Sequence, residues 1–209
     1  MLLSDIEISR LAQDGMIEPY VGSLVREVQE TRSWSEGSRT VTSSGIRRVL
    51  SYGASSYGYD LRLSPREFLI FRHIPGTVVD PKAFNPANLE PAELHSDEHG
   101  EFFILPAHSY GLGVAVEKLS LPSDVTALFV GKSSYARCAI HANLTPGEAG
   151  WRGYLTLEFS NGSSADTRIY ANEGIVQALF FRGKPCATCY ESRAGKYQDQ
   201  PAVIVTARV

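Results

Sequence analysis

Trp151-Arg152-Gly153-Tyr154-Leu155-Thr156-Leu157-Glu158-Phe159-Ser160 alternates with a period of two. Tyr154, Thr156, Glu158 and Ser160 fall on one face of a strand, and Leu155, Leu157 and Phe159 on the other. The apolar face predicts a strand seated on a core, with Glu158 on the polar face. Working outward, similar short apolar runs, cut by Gly, Pro, Asn and Ser, recur at 102–105, 110–116, 125–130, 139–144, 167–170 and 175–181. Short strands at this spacing predict a mainly β fold, a barrel or sandwich.

With 209 residues, 43% of them hydrophobic, the chain has enough material for one domain with a real core, and 1–209 is taken as a single domain. A formal net charge of −3 argues against a global basic field, so nucleic acid is not an expected partner and any phosphate must be held by local groups. No segment approaches the ~20 consecutive apolar residues of a membrane span, and residues 1–17 lack the pattern of a secretory signal. Three cysteines, an odd number, speak against a disulfide framework and for a reducing, cytoplasmic setting.

Near the N-terminus, Ser4 followed by Glu7 and then Gly15 predicts a short capped amphipathic helix. Residues 30–48 are polar, Ser-rich and basic without a sustained period, which predicts an exposed loop or insertion. Residues 80–101, rich in Pro, Asn and acids, predict a second long connection that starts with a helical turn.

Gly131-Lys132-Ser133-Ser134-Tyr135-Ala136-Arg137 lies between two of the strands and suits one helical turn, with its backbone N–H groups and the Lys132 charge available to an anion. With Glu158 it supplies two hydroxyls, two cations and a carboxylate, a set able to hold a phosphorylated substrate and an activated water. A competing motif is His99-Gly100-Glu101 with Pro185-Cys186-Ala187-Thr188-Cys189, the H-x-E and P-C-x-x-C elements of zinc deaminases. In those enzymes both elements open helices that converge on the metal. Here the first runs into the strand pattern Phe102-Phe103-Ile104-Leu105, and the second follows a strand with little room for a helix. The expectation is no zinc, with the cysteines as two small half-buried thiols on a strand. Ser133 and Ser134 lack a G-x-S-x-G elbow, and Gly147-Glu148-Ala149-Gly150 lacks the context of a nucleotide-binding glycine loop. Of the five histidines, His73, His95 and His99 fall in loop-like segments, and His141 reads as a satisfied strand residue.

Several motifs in order carry a resemblance: Gly131 to Cys138, Asn143-Leu144-Thr145-Pro146, Trp151 to Asn161, Ile169 to Gly174, Gly195-Lys196-Tyr197-Gln198 and, upstream, Ser51-Tyr52-Gly53-Ala54-Ser55-Ser56-Tyr57-Gly58-Tyr59-Asp60. From about Ser51 to Gln200, and in its N-terminal helix, the chain resembles the dCTP deaminase family, which shares a distorted β-barrel, jelly-roll-like fold with the trimeric dUTPases. The resemblance implies a homotrimer with active sites between subunits that converts dCTP and water to dUTP and ammonia without zinc. It implies Glu158 as general acid/base, with Ser133 and Arg137 holding the water and supporting Glu158. Lys132 and Ser134 would bind phosphate, with Tyr135 and Ala136 in the same turn. Thr156 and Leu157 would line the base and sugar site, and Gln177 would add a polar contact. Tyr190, Lys196 and Gln200 would belong to a C-terminal lid over residues 190–209, closing on a triphosphate that brings Mg²⁺ on its phosphates.

The chemistry is consistent by itself: one group must first take and then give a proton, and a carboxylate in a poorly hydrated site has its pKa raised toward neutrality. Arg137 nearby would pull it back down. Three features depart from the family pattern. Asp199-Gln200-Pro201-Ala202 stands where Gly-Gln-Arg-Gly is usual, placing a carboxylate beside a polyphosphate. His141 replaces an apolar residue, and with the unusual stretch 146–150 it leaves room for a modified cytosine nucleotide. The 30–48 insertion is long. Two alternatives stay open on the same fold: a bifunctional deaminase and dUTPase in which Glu148 activates a second water, forming dUMP and pyrophosphate, and a non-catalytic nucleotide sensor.

Overall fold

A computed structural model of the chain describes residues 1–36 and 39–208. In chain order the elements are α1 (Asp5–Gln13), β1 (Ile17–Glu18), β2 (Val25–Glu36), β3 (Arg39–Ser55), β4 (Gly58–Phe71), a 3₁₀ turn (Pro86–Asn88), β5 (Leu89–Pro91), β6 (His95–Asp97), β7 (Gly100–Leu105), β8 (Tyr110–Ser120), β9 (Val125–Gly131), α2 (Ser133–Ala136), β10 (Ile140–Ala142), β11 (Arg152–Asn161), β12 (Thr167–Tyr170) and β13 (Gly174–Arg182). The fold is mainly β with a short N-terminal helix, as the strand spacing predicts. α1 starts where the capping signal places it: the Ser4 backbone N–H and hydroxyl both donate to Glu7 Oε2, at 3.0 and 3.2 Å. Its Ile8 and Ala12 join the core.

The larger sheet follows the order β10-β11-β8-β4-β13-β9, with β1 on β8, β5 on β4 and β3 joining β2 to β4. Among the described residues this hydrogen-bonded path is open: it ends at β10 and β9 without closing into a barrel. A second sheet has the order β12-β7-β6. Between them Phe68 of β4 stacks on Phe103 of β7 at 5.1 Å and on Phe159 of β11 at 6.2 Å between ring centroids. Phe159 and Leu157 are wholly buried. Each such side chain contributes about 1.5–3 kcal/mol by leaving water, which fixes the face of β11 that points inward and hence the face that carries Glu158.

Two segments differ from expectation. Residues 30–48 form most of a long antiparallel hairpin, paired from Glu27↔Arg48 to Glu36↔Arg39, while residues 37 and 38 lie outside the described residues. Cross-strand pairs such as Arg48 with Glu27 at 3.8 Å support it. Its base is tied to the body by Arg47, which donates to the carboxylate of Glu173 and to the carbonyl of His99. The second long connection contains β5 and β6 besides the 3₁₀ turn, and His95 lies on β6 with its ring stacked on Phe102 at 5.6 Å.

Candidate active site

β11 lies between β8 and β10, with Glu158 opposite Leu112 and Thr156 opposite Val114. Between Tyr154 and Thr156 the register slips, because Lys118 and Val114 are the partners on either side. The extra residues of this bulge lie on β8. Leu155 packs against the core, as the apolar face predicts, and also lines a cavity of about 670 Å³ together with Thr156 and Glu158. Other parts of its wall are Tyr110 and Leu112 from β8, Phe71 and Phe84, the turn from Thr145 to Glu148, and Trp151. Phe71, Phe84 and Tyr110 left no signal in the sequence, since they reach the cavity from separate parts of the chain.

Glu158 is half-buried, and its carboxylate makes no hydrogen bond or ion pair among the described residues. Burial alone pushes its pKa above the ordinary carboxylate range. The neighbouring Tyr110 phenol is pushed up to about 12 by burial and by the Glu158 charge. The site thus holds a carboxyl group whose proton affinity is raised by poor hydration, the property a group needs to take a proton and return it.

The opposite wall is the C-terminal segment. Tyr190, Lys196, Tyr197, Gln200 and Val205 to Ala207 all line the cavity. Three consecutive residues at the root of β11 hold that segment down. Trp151 Nε1 donates to the Tyr197 carbonyl at 2.8 Å. Arg152 reaches Asp199 through two of its nitrogens and Glu191 through the third, the last at 2.9 Å. Gly153 has a φ of +144°, and a Cβ there would stand 2.6 Å from the Gln200 backbone nitrogen, so only glycine lets the C-terminal segment approach. Gln200 is buried; its carbonyl accepts from Tyr154 N at 3.0 Å and its amide donates to Thr156 Oγ1. The Val205 N–H also points at Thr156 Oγ1, at 3.4 Å, and Ile204 N–H donates to Glu67 at 2.7 Å. Lys196 Nζ donates to the Arg208 carbonyl at 2.8 Å. Glu148 lines the same cavity, with its carboxylate engaged by Arg193 of the lid.

Of the residues assigned to the site from the sequence, Glu158, Thr156, Tyr190, Lys196 and Gln200 surround this cavity, as does Glu148 of the alternative reading. The other assigned residues do not. Leu157 is wholly buried in the core on the far face of β11. Gln177 on β13 donates to Ser55 Oγ at 3.3 Å. In α2, which forms where one turn was expected, Ser133, Ser134, Ala136 and Arg137 are exposed and Tyr135 is buried, its hydroxyl accepting from Tyr170 N at 2.8 Å. Arg137 donates to its own turn, at Ser133 O, 3.0 Å away. It does not lower the Glu158 pKa within this chain, contrary to the expectation from their closeness in sequence. Lys132 is no free charge either: its ammonium is paired with the buried Asp60 and donates to Ser51 Oγ at 3.1 Å.

Neither cysteine of the competing motif is on a strand. Cys186 is exposed and donates to Ser123 O at 3.3 Å, and the half-buried Cys189 donates to Ser192 Oγ at 3.5 Å. His99 lies in the turn before β7, 3.7 Å from Glu98. Among the described residues no three His, Cys, Asp or Glu side chains gather as a metal-binding group.

The description "dCTP deaminase-like" belongs to the family profile that matches residues 32–183, with the cavity strand β11 inside the match. The chain belongs to that family. Among its relatives, a dCTP deaminase of Acidovorax sp. (strain JS42) is 44% identical over 202 residues, covering 96% of this chain and 95% of the relative. One from Francisella tularensis subsp. novicida is 41% identical with the same coverage. The crystal structure of 2'-deoxycytidine 5'-triphosphate deaminase from Agrobacterium tumefaciens superposes with a TM-score of 0.50 at 16% identity, over 94% of this chain and 51% of the other. This chain therefore spans about half the length of that one, and the likeness is one of fold. In this dCTP deaminase-like chain, the alternating stretch Tyr154 to Ser160 is the strand that presents Glu158 to the cavity.

Proposed function

We propose that the chain deaminates dCTP to dUTP and ammonia by a zinc-independent route, with Glu158 as the group that moves the proton. The observation that carries this reading is Glu158 itself, half-buried, without an ion pair, raised in pKa by burial and facing a cavity that the C-terminal segment covers. Glu158 takes a proton from water as the oxygen forms its bond to C4 of cytosine. It then returns a proton to the exocyclic amine, so that the C4–N bond breaks with loss of ammonia and water is the only co-reactant. The apolar wall of Leu112, Leu155 and Phe71 keeps bulk water from the carboxylate and sustains its proton affinity.

Ser133, Ser134 and Arg137 complete the site in this reading, supplied by a neighbouring copy in a homotrimer. Their exposure, and the distance in character between the open α2 turn and the closed cavity, support that assignment. Lys196, Tyr190 and Gln200 hold the triphosphate under the lid. The substrate enters as its magnesium complex, with phosphate oxygens as the ligands of the ion. A cytosolic enzyme of nucleotide metabolism follows from this activity, and among the described residues no helix is long and apolar enough to cross a membrane.

The position of Glu148 on the wall of the same cavity favours a second reading, in which the enzyme also hydrolyses dUTP to dUMP and pyrophosphate. Its engagement by Arg193 weighs against a role as base. Incubation with dCTP and Mg²⁺, followed by resolution of ammonia, dUTP, dUMP and pyrophosphate, tests both. Ammonia with dUTP supports deamination alone. Ammonia with dUMP and pyrophosphate supports the bifunctional enzyme, and no ammonia overturns the reading.

A further inference from the structure

Asp199 lies in the C-terminal segment, beside Gln200 of the cavity wall. Its φ is +55°, in the left-handed region that glycine occupies freely and that Asp and Asn tolerate better than most residues. Its carboxylate points away from the cavity wall toward the root of β11, where Arg152 Nη2 lies 3.1 Å from Oδ2 and Arg152 Nε meets Oδ1. The same guanidinium holds Glu191 at 2.9 Å. One cation on β11 therefore gathers two carboxylates of the C-terminal segment, Glu191 near its start and Asp199 near its middle. Backbone bonds lock the register: Asp199 N–H donates to Arg152 O at 3.0 Å, and Gln200 O accepts from Tyr154 N at 3.0 Å. Next to Asp199, Gln200 reaches Thr156 inside the cavity.

We infer that Asp199 is a positioning residue: by clasping Arg152 it holds Gln200 and Lys196 over the cavity before substrate arrives. A left-handed conformation without the clasp favours glycine, whose freedom would leave the lid looser; an aspartate fixed by a two-pronged Arg pair loses that freedom once, on folding. The lid of this chain is thereby pre-ordered. Both partners remain partly exposed, with side chains 41% and 58% accessible, so the clasp is a modest, salt-sensitive device. The inference rests on the proposed deamination for its kinetic form, and on nothing but the geometry for its structural form.

Two measurements separate these. In limited proteolysis of the ligand-free protein, Asp199→Asn, which keeps the left-handed tolerance and removes the charge, exposes the segment after residue 190 to cleavage about two- to fivefold faster than wild type. In ammonia-release assays with dCTP and Mg²⁺, the same variant raises KM by a similar factor and leaves kcat within about twofold, since the clasp touches no reacting atom. Raising the salt concentration shrinks the difference between wild type and Asp199→Asn in both assays. Unchanged proteolysis in Asp199→Asn overturns the clasp whether or not dCTP is the substrate. Faster proteolysis with unchanged KM overturns its role in substrate capture. Lack of ammonia release from wild type, with faster proteolysis of the variant, overturns the deaminase reading and leaves the clasp standing.

Discussion

Glu158 and the α2 turn are separated by about twenty residues of sequence and differ in almost every physical respect. Glu158 is half-buried, enclosed by aromatic and aliphatic walls, covered by the C-terminal segment and without a paired cation. Ser133, Ser134 and Arg137 stand in water, and the Arg137 guanidinium contacts only its own turn among the described residues. The first has the desolvated carboxylate that proton transfer needs, with no cation paired to it although Lys196 and Arg193 line the same cavity. The second has a cation and two hydroxyls and lacks the enclosure. In the proposed reading the two meet between copies of the chain.

Four experiments break or sharpen this contrast. Glu158→Gln should lower ammonia release by about 10²–10⁴-fold while nucleotide still binds in equilibrium dialysis, because positioned acid/base catalysis is worth that much; a variant within tenfold of wild type would remove Glu158 from the chemistry. Arg137→Ala should be similarly inactive alone. Co-refolded with Glu158→Gln, it should restore activity at roughly one site in four if the two halves come from different copies in a closed ring. A silent mixture would place both halves in one chain.

Asp60→Ala leaves the Lys132 ammonium, only 12% exposed, without its carboxylate, and should lower stability by about 3–5 kcal/mol. Thermal unfolding monitored by circular dichroism should show this as a fall of about 10 °C. Asp60→Leu combined with Lys132→Met should lose much less, since it removes both charges together. The smallest effect concerns stability against pH. The folded pKa of Glu158 is raised above its unfolded value, so the folded state binds its proton more readily, and ionisation disfavours folding as pH rises out of the ordinary carboxylate range. Glu158→Gln should therefore melt slightly higher than wild type at neutral pH, with the gain vanishing near pH ~4. A gain that grows on acidification would contradict the burial that sets the sign.

The contrast also shows what a sequence can carry. β7 through β13 and α1 were legible because each is local: an apolar run against one core, or a cap three residues from its partner. The β2–β3 hairpin was not, because where its side chains are described, as at Thr31, Thr42, Ser43 and Ser44, they stand in water, and no buried side imposes an apolar period on them. The bulge beside Leu155 was not legible either, because it is a property of two strands, and the extra residues lie on β8, around Ala115 to Glu117. Glu158, Thr156, Lys196, Tyr190 and Gln200 could be named from motifs, whereas the Phe71, Phe84 and Tyr110 wall depends on which strands pair. The roles expected for Lys132 and Asp199 changed most. An isolated charge reads as available, and only tertiary structure shows that Asp60 or Arg152 has taken it.

Thr156 Oγ1 accepts from Gln200 and faces the Val205 N–H, so one hydroxyl on a rigid strand is a mooring for a long stretch of tail. For inhibitor design this divides the cavity into a permanent half and a removable one. A compound anchored on Leu112, Leu155 and Glu158 would rest on residues of the sheet, whereas one that relied on Val205 to Ala207 would rest on a wall supplied by the tail. A hydrogen-bond donor directed at Thr156 would compete with the tail for its mooring and turn a closed pocket into an open cleft.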